Sequence, residues 1–183
     1  KLYDCCPFSD GASSVVLCSE KFAKAHGGDY VEVIGSGRGG SPAALQGREH
    51  MTTIPSTKIA AKAAYDMAGI TARDIDFAEV HDCFTIAEVV DTEDLGFFAK
   101  GQGIQAIRED RTKLNSDISI NPSGGLKSKG HPIGATGVGQ VVEVFDQLTG
   151  KAGARTVKDA KIGLTHNFGA TGASCAVHIF QSV

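Results

Sequence analysis

Residues 120–140 read "INPSGGLKSKGHPIGATGVGQ", with six glycines, two prolines and a single histidine, His131. Beyond Gly134 the apolar residues Val138, Val141, Val142, Phe145 and Leu148 step by three and four, which predicts a helix with one apolar face. The glycines therefore feed a helix N-terminus. Flanking glycines let the backbone come close to a bound molecule, and a helix N-terminus points N–H groups at negative charge. In that setting His131 is a candidate donor to an oxyanion. A surface-loop histidine beside a helix start fits the same letters.

On the C-terminal side, "KIGLTHNFG" (161–169) and "SCAVHIFQ" (174–181) read as two strands joined by a Gly-rich turn, a hairpin. On the N-terminal side, "DIDFAEV" (74–80) reads as a strand ending at "HDCF" (81–84), and "TIAEVVDTEDLG" behind it as a helix capped by Thr85. The stretch "IPSTKIAAKAAYDMAG" (54–69) places Ile59, Ala60, Ala63, Ala64 and Met67 on one helical face, with Pro55 and Gly69 at its ends. "YVEVIG" (30–35) alternates as a strand and runs into "GSGRGG" (35–40), read as a turn. That hexapeptide matches G-x-G-x-x-G, but no firm helix follows and no acidic residue stands ~20 positions on behind a strand, so a dinucleotide site is not expected. "ASSVVLCS" (12–19) reads as a strand, "SEKFAKAHGG" (19–28) as a helix capped by Ser19 and ended by Gly27, and 101–117 as a polar loop. The order β-α-β-α-β-α-α-β-β implies an α/β fold, a five-stranded mixed sheet with helices on its faces.

The 183 residues, 42% of them hydrophobic, suffice for one packed core. A net charge of -3 with no basic cluster gives no footprint for nucleic acid, and no apolar run approaches the ~20 residues of a membrane helix. No leader pattern follows Lys1, and a start on "KLYDCCPFSDGASS" without Met reads as a piece of a longer protein. Five cysteines, an odd number with no CxxC pair, argue against a disulfide framework and against structural zinc. Reduced thiols predict an intracellular setting, cytoplasm or organelle matrix. Adjacent Cys5 and Cys6 read as structural, one facing the core and one facing out.

Three segments place reactive side chains at strand ends or before a helix: "HDCF", "GHP" (130–132) and "THNFG" (165–169). Ligands of open α/β sheets gather beyond the carboxyl ends of strands, so His81, Cys83, His131 and His166 are expected at one rim. A thiol beside imidazoles can be held as thiolate and act as a base or nucleophile. Each side chain also has a plain structural reading, Cys83 as a small buried thiol and His81 and His166 as hydrogen-bonded core histidines. No pair among the four has the tight spacing of a structural zinc site, and no metal is expected.

The motifs resemble the C-terminal half of a thiolase along nearly the whole chain. "SDGASSVVLCSEKFAK" is similar to the family's "DGA" segment, and "NPSGG…GHPIGATG" to its most diagnostic signature. "HDCF" stands where most thiolases have "NEAF", the variant of sterol-carrier-protein-2-type thiolases and their archaeal relatives. The resemblance implies a thiolase-like fold over residues 1–183 and CoA-dependent acyl transfer, with a coenzyme A thioester as substrate and no other cofactor. It implies that His131 activates the nucleophile and lines an oxyanion hole. His81 takes the place of an asparagine that holds a catalytic water, and Cys83 replaces the usual acid/base cysteine, whose matching position is His166. The backbone at Phe168 and Gly169 would form a second oxyanion hole. The nucleophile lies in the family's N-terminal half, and Cys5, Cys6 and Cys18 stand in the wrong context for it. The chain is therefore expected to need a missing N-terminal domain, to be inactive alone, and to work in a homo-oligomer. The alternatives are a β-ketoacyl-synthase-like condensing enzyme, suggested by "NFGA", and a non-catalytic subunit that binds acyl-CoA or a partner.

Overall fold

A computed structural model describes residues 1–183. In chain order the elements are α1 (Glu20–His26), β1 (Val31–Gly40), α2 (Pro55–Ala68), β2 (Phe77–Glu79), α3 (Thr85–Asp94), α4 (Gly103–Arg108), β3 (Ser119–Ile120), α5 (Gly125–Lys129), α6 (Ile133–Leu148), β4 (Ile162–Gly169) and β5 (Ser174–Ser182). The five strands form one mixed sheet in the order β1-β5-β4-β2-β3. β4 and β5 are the expected antiparallel hairpin, β1 joins β5 antiparallel, and β2 lies parallel to β4 and β3.

The glycine cluster after Tyr30 is strand, not turn. Gly37 and Gly39 belong to β1, where an added Cβ would sit 1.9 Å from the Ala60 carbonyl and 2.0 Å from the Ser56 carbonyl. Glycine there lets α2 lie directly on the sheet. The same close approach sets which face of α2 is buried: Ser56, Thr57, Ala60, Ala61 and Ala64 turn inward, while Ile59 and Met67, expected inside, are exposed. Small side chains win over large apolar ones because helix and strand backbones almost touch.

Residues 12–19 form no strand, although Ser19 does cap α1 by accepting from the Phe22 amide at 3.2 Å. The fifth strand is instead the two-residue β3, and the polar 101–117 stretch contains α4. Thr85 opens α3 without capping it, because its hydroxyl donates to Asp4. The main core gathers Ala60, Ala64, Val80, Leu95, Leu164, Val177 and Ile179 between α2, α3 and the sheet. On the other face α6 buries Thr136, Gln140, Glu143, Val144 and Gln147, a largely polar stripe in place of the expected valines. These polar groups are satisfied: Glu143 pairs with Arg155 at 2.9 Å, and Gln147 bonds the Arg155 carbonyl and the Val157 amide. No helix is long and apolar enough to cross a membrane.

Candidate active site

The stretch from Ile120 to His131 is stitched to the end of β2. Asn121 accepts from the Val80 amide at 2.8 Å, and Glu79 accepts from the Ser123 amide at 3.0 Å and its hydroxyl at 2.6 Å. Asp82, the second residue of "HDCF", accepts from the Leu126 amide at 2.7 Å and the Lys127 amide at 3.3 Å. Gly125 must be glycine for this contact, since its φ is +65° and a Cβ would meet the Asp82 carboxylate at 2.3 Å. The backbone freedom at 124–125 thus serves to bring "HDCF" and "GHP" together.

The two histidines they carry meet edge to face, with ring centroids 5.0 Å apart. His131 Nδ1 lies 2.7 Å from the Thr136 hydroxyl, which itself donates to the Pro132 carbonyl. His131 Nδ1–H is therefore the donor, and its Nε2 keeps a free lone pair. His81 is held in the same tautomer: Asn167 donates its amide N–H to Gln140, so its oxygen faces His81 Nδ1 at 3.0 Å. Burial lowers both imidazoles below the ordinary histidine value, with His131 lowering His81 further and the Asn167 bond opposing that. Both are neutral at pH 7.

A cavity of about 960 Å³ opens over this pair, lined by His81, Cys83, His131, Asn167, Phe168 and Gly169 among others. Beside it runs a strap, residues 4–8. The strap pairs with the "HDCF" segment through the Cys5–Phe84 bridge and a 3.0 Å bond from the Cys6 amide to the Cys83 carbonyl, and then receives the His131 amide on the Pro7 carbonyl at 2.9 Å. Cys5 and Cys6 both line the cavity, so neither faces the core alone. Burial, then the neighbouring Asp91 and Cys6, push the Cys83 thiol up to about 11. Cys83 is therefore a thiol at neutral pH, the buried-thiol state among the two that the sequence left open.

His166 is not at this rim. Strand alternation turns Thr165 and Asn167 toward the cavity and His166 to the opposite face of the sheet, where it is fully buried. There its Nε2 lies 2.9 Å from the Thr57 hydroxyl and its Nδ1 3.6 Å from Asp91. The residues that sequence reasoning missed, Asp82, Thr136, Gln140 and Asn167, each stand within or beside the quoted motifs. Hydroxyl and amide spacing around His131 and His166 carried the signal.

The model of the family described as thiolase C-terminal domain-like matches residues 37–182. The chain belongs to the thiolase family. It is 48% identical to an acetyl-CoA acetyltransferase of Methanothermobacter thermautotrophicus over 99% of this chain and 47% of that protein. It is 40% identical to human sterol carrier protein 2 over 94% of this chain and 32% of that protein. The chain thus spans about half the length, or less, of the relatives it matches. A solved structure of an Ltp2-ChsH2(DUF35) aldolase superposes with a TM-score of 0.76 at 20% identity, over 84% of this chain and 40% of that one, which shows the shared fold. A sterol carrier protein 2 and an archaeal protein are the two kinds of relative that the "HDCF" variant anticipates.

Proposed function

We propose that the protein carrying these residues transfers acyl groups between coenzyme A thioesters, and that this chain supplies proton-transfer and oxyanion-binding groups to a nucleophilic cysteine from outside the 183 residues. The observation that supports this most is the pair of neutral imidazoles with free Nε2 atoms facing one cavity with the Cys83 thiol. In the first half-reaction His131 Nε2 takes the nucleophile's proton, and the resulting imidazolium donates back to the thioester oxyanion. The departing CoA thiolate takes the Cys83 proton. In the second, the Cys83 thiolate removes the α-proton of another thioester, and the carbanion attacks the acyl group. The nucleophile leaves as thiolate and recovers its proton from His131. His81 Nε2 accepts from a bound water, and the backbone at Phe168 and Gly169 receives the second oxyanion.

The test is acetoacetyl-CoA cleavage by the full polypeptide and its Cys83→Ala variant. A loss of about 10²–10⁴-fold is expected from removing a general acid/base. Cleavage near the unsubstituted rate in Cys83→Ala overturns the assignment.

A further inference from the structure

The strap that borders the cavity sets two cysteines opposite each other. Asp4 and Thr85 are hydrogen-bonded at 3.2 Å, Cys5 and Phe84 form an antiparallel bridge, and the Cys6 amide bonds the Cys83 carbonyl at 3.0 Å. Three successive residues of the strap thus face three of the "HDCFT" segment, and the third pair is Cys6 with Cys83. Directly opposed residues of an antiparallel pair have Cα atoms ~4.5–5.5 Å apart and side chains on one face. A disulfide spans Cα separations of ~4.4–6.8 Å. Both cysteines are free thiols, half-buried, and both line the cavity.

The strap is anchored on either side of Cys6. Lys127 donates to the carbonyls of Tyr3 and Cys5, and the His131 amide to that of Pro7. The strap backbone is therefore held against "HDCF" on both sides of Cys6. No other cysteine has such a partner: Cys175 opposes Phe168 and Gly39 within the sheet, and Cys18 is exposed in a segment without strand pairing.

We propose that Cys6 and Cys83 form a reversible dithiol–disulfide site oxidised by low-molecular-weight disulfides such as glutathione disulfide. The Cys6 thiolate attacks one sulfur of glutathione disulfide and releases one glutathione thiolate. The Cys83 thiolate then attacks Cys6 Sγ in the mixed disulfide, closes the Cys6–Cys83 bond and releases the second glutathione. Two protein thiols become one disulfide, and one glutathione disulfide becomes two glutathiones. Burial, foremost, raises both thiols; Asp82 raises Cys6 and Lys127 lowers it, while Asp91, Cys6 and Asp82 raise Cys83. Exchange is accordingly slow at pH 7 and rises about tenfold per pH unit while Cys6 remains below its raised pKa. The link stands independently of the acyl-transfer reading; only a loss of activity on its formation rests on that reading.

The test equilibrates the full polypeptide with glutathione disulfide at pH 7 and pH 8, alkylates the remaining thiols and maps the peptides. A Cys6–Cys83 linked peptide is expected, reversed by dithiothreitol and forming about tenfold faster at the higher pH. Cys5→Ser should keep the link, and Cys6→Ser should leave Cys83 as a glutathione adduct or a free thiol. Persistent mixed disulfides in the unsubstituted protein, or a Cys5–Cys83 link, overturn the proposal. If the link forms while acetoacetyl-CoA cleavage is unchanged, the disulfide site stands and Cys83 is not the acid/base.

Discussion

His81 Nδ1 lies 3.0 Å from Asn167 Oδ1, joining the end of β2 to the end of β4 across the cavity floor. The neutral Asn167 amide holds the ring in one tautomer without charging it. Asn167→Asp would set a carboxylate against His81 and raise its pKa. Protonated His81 can no longer accept from a water on Nε2. The acid limb of the kcat/KM profile for acetoacetyl-CoA cleavage should therefore move to higher pH, while Asn167→Gln should not move it. An unshifted acid limb in Asn167→Asp assigns that limb to another group.

Asp82 holds His131 from a distance, through the Leu126 and Lys127 amides. Asp82→Ala strands the buried Leu126 amide and loosens the part-buried Lys127 amide, and should cost about 1–3 kcal/mol in urea unfolding. Gly125→Ala should cost a similar amount, because its Cβ collides with the same carboxylate at a left-handed backbone position. Both should lower turnover through His131. Full stability in either variant would show that the loop is held by Glu79 and Asn121 alone.

The pair on the far face of β4 has its own pH signature. Asp91 and His166 are fully buried 3.6 Å apart, and neither carboxyl oxygen nor His166 Nδ1 has a hydrogen-bond partner. Burial keeps Asp91 protonated, aided by Asp94, and keeps His166 neutral. The folded pair therefore carries one proton. Unfolded, it carries two below pH ~4, one between ~4 and ~6.5, and none above. The pair's contribution should thus be flat from pH ~4 to ~6.5 and should fall by about 1.4 kcal/mol per pH unit above that, until Asp91 ionises in the folded state. Asp91→Asn removes the alkaline fall, so its stability relative to the unsubstituted protein should rise from pH 7 to pH 9 in urea titrations. A pH-independent difference would contradict the neutral pair.

What could be read from the letters divides along physical lines. Strand and helix existence followed from periodicity in β4, β5, α2 and α6, and the hairpin from its glycine turn. Where backbones touch, periodicity failed: Gly37 and Gly39 read as a turn because only the approach of α2 explains them, and the same approach exposes Ile59 and Met67. The polar stripe of α6 was hidden because Gln140 and Gln147 are buried by partners far from them in sequence or in irregular segments. At the site, His81, Cys83 and His131 were legible as strand-end and helix-start groups that share one cavity. His166 was misplaced for a reason the sequence did contain, since alternate residues of a strand face opposite sides, and Thr165 and Asn167 face the cavity. The strap of residues 4–8 carried no periodic signal, and its pairing with "HDCF" is a tertiary fact.

The most direct test of the division of labour is the mass of the trapped acyl-enzyme in the full polypeptide after mixing with acetyl-CoA. Cys83→Ala should still acquire an acetyl group on the nucleophile, with water in place of Cys83 protonating the departing CoA thiolate, yet make no acetoacetyl-CoA, since the α-proton transfer has no such substitute. His131→Ala should show slowed acetylation as well, because it removes both the nucleophile's base and an oxyanion donor worth about 3 kcal/mol. Turnover near the unsubstituted rate in Cys83→Ala, or undiminished acetylation in His131→Ala, contradicts the account.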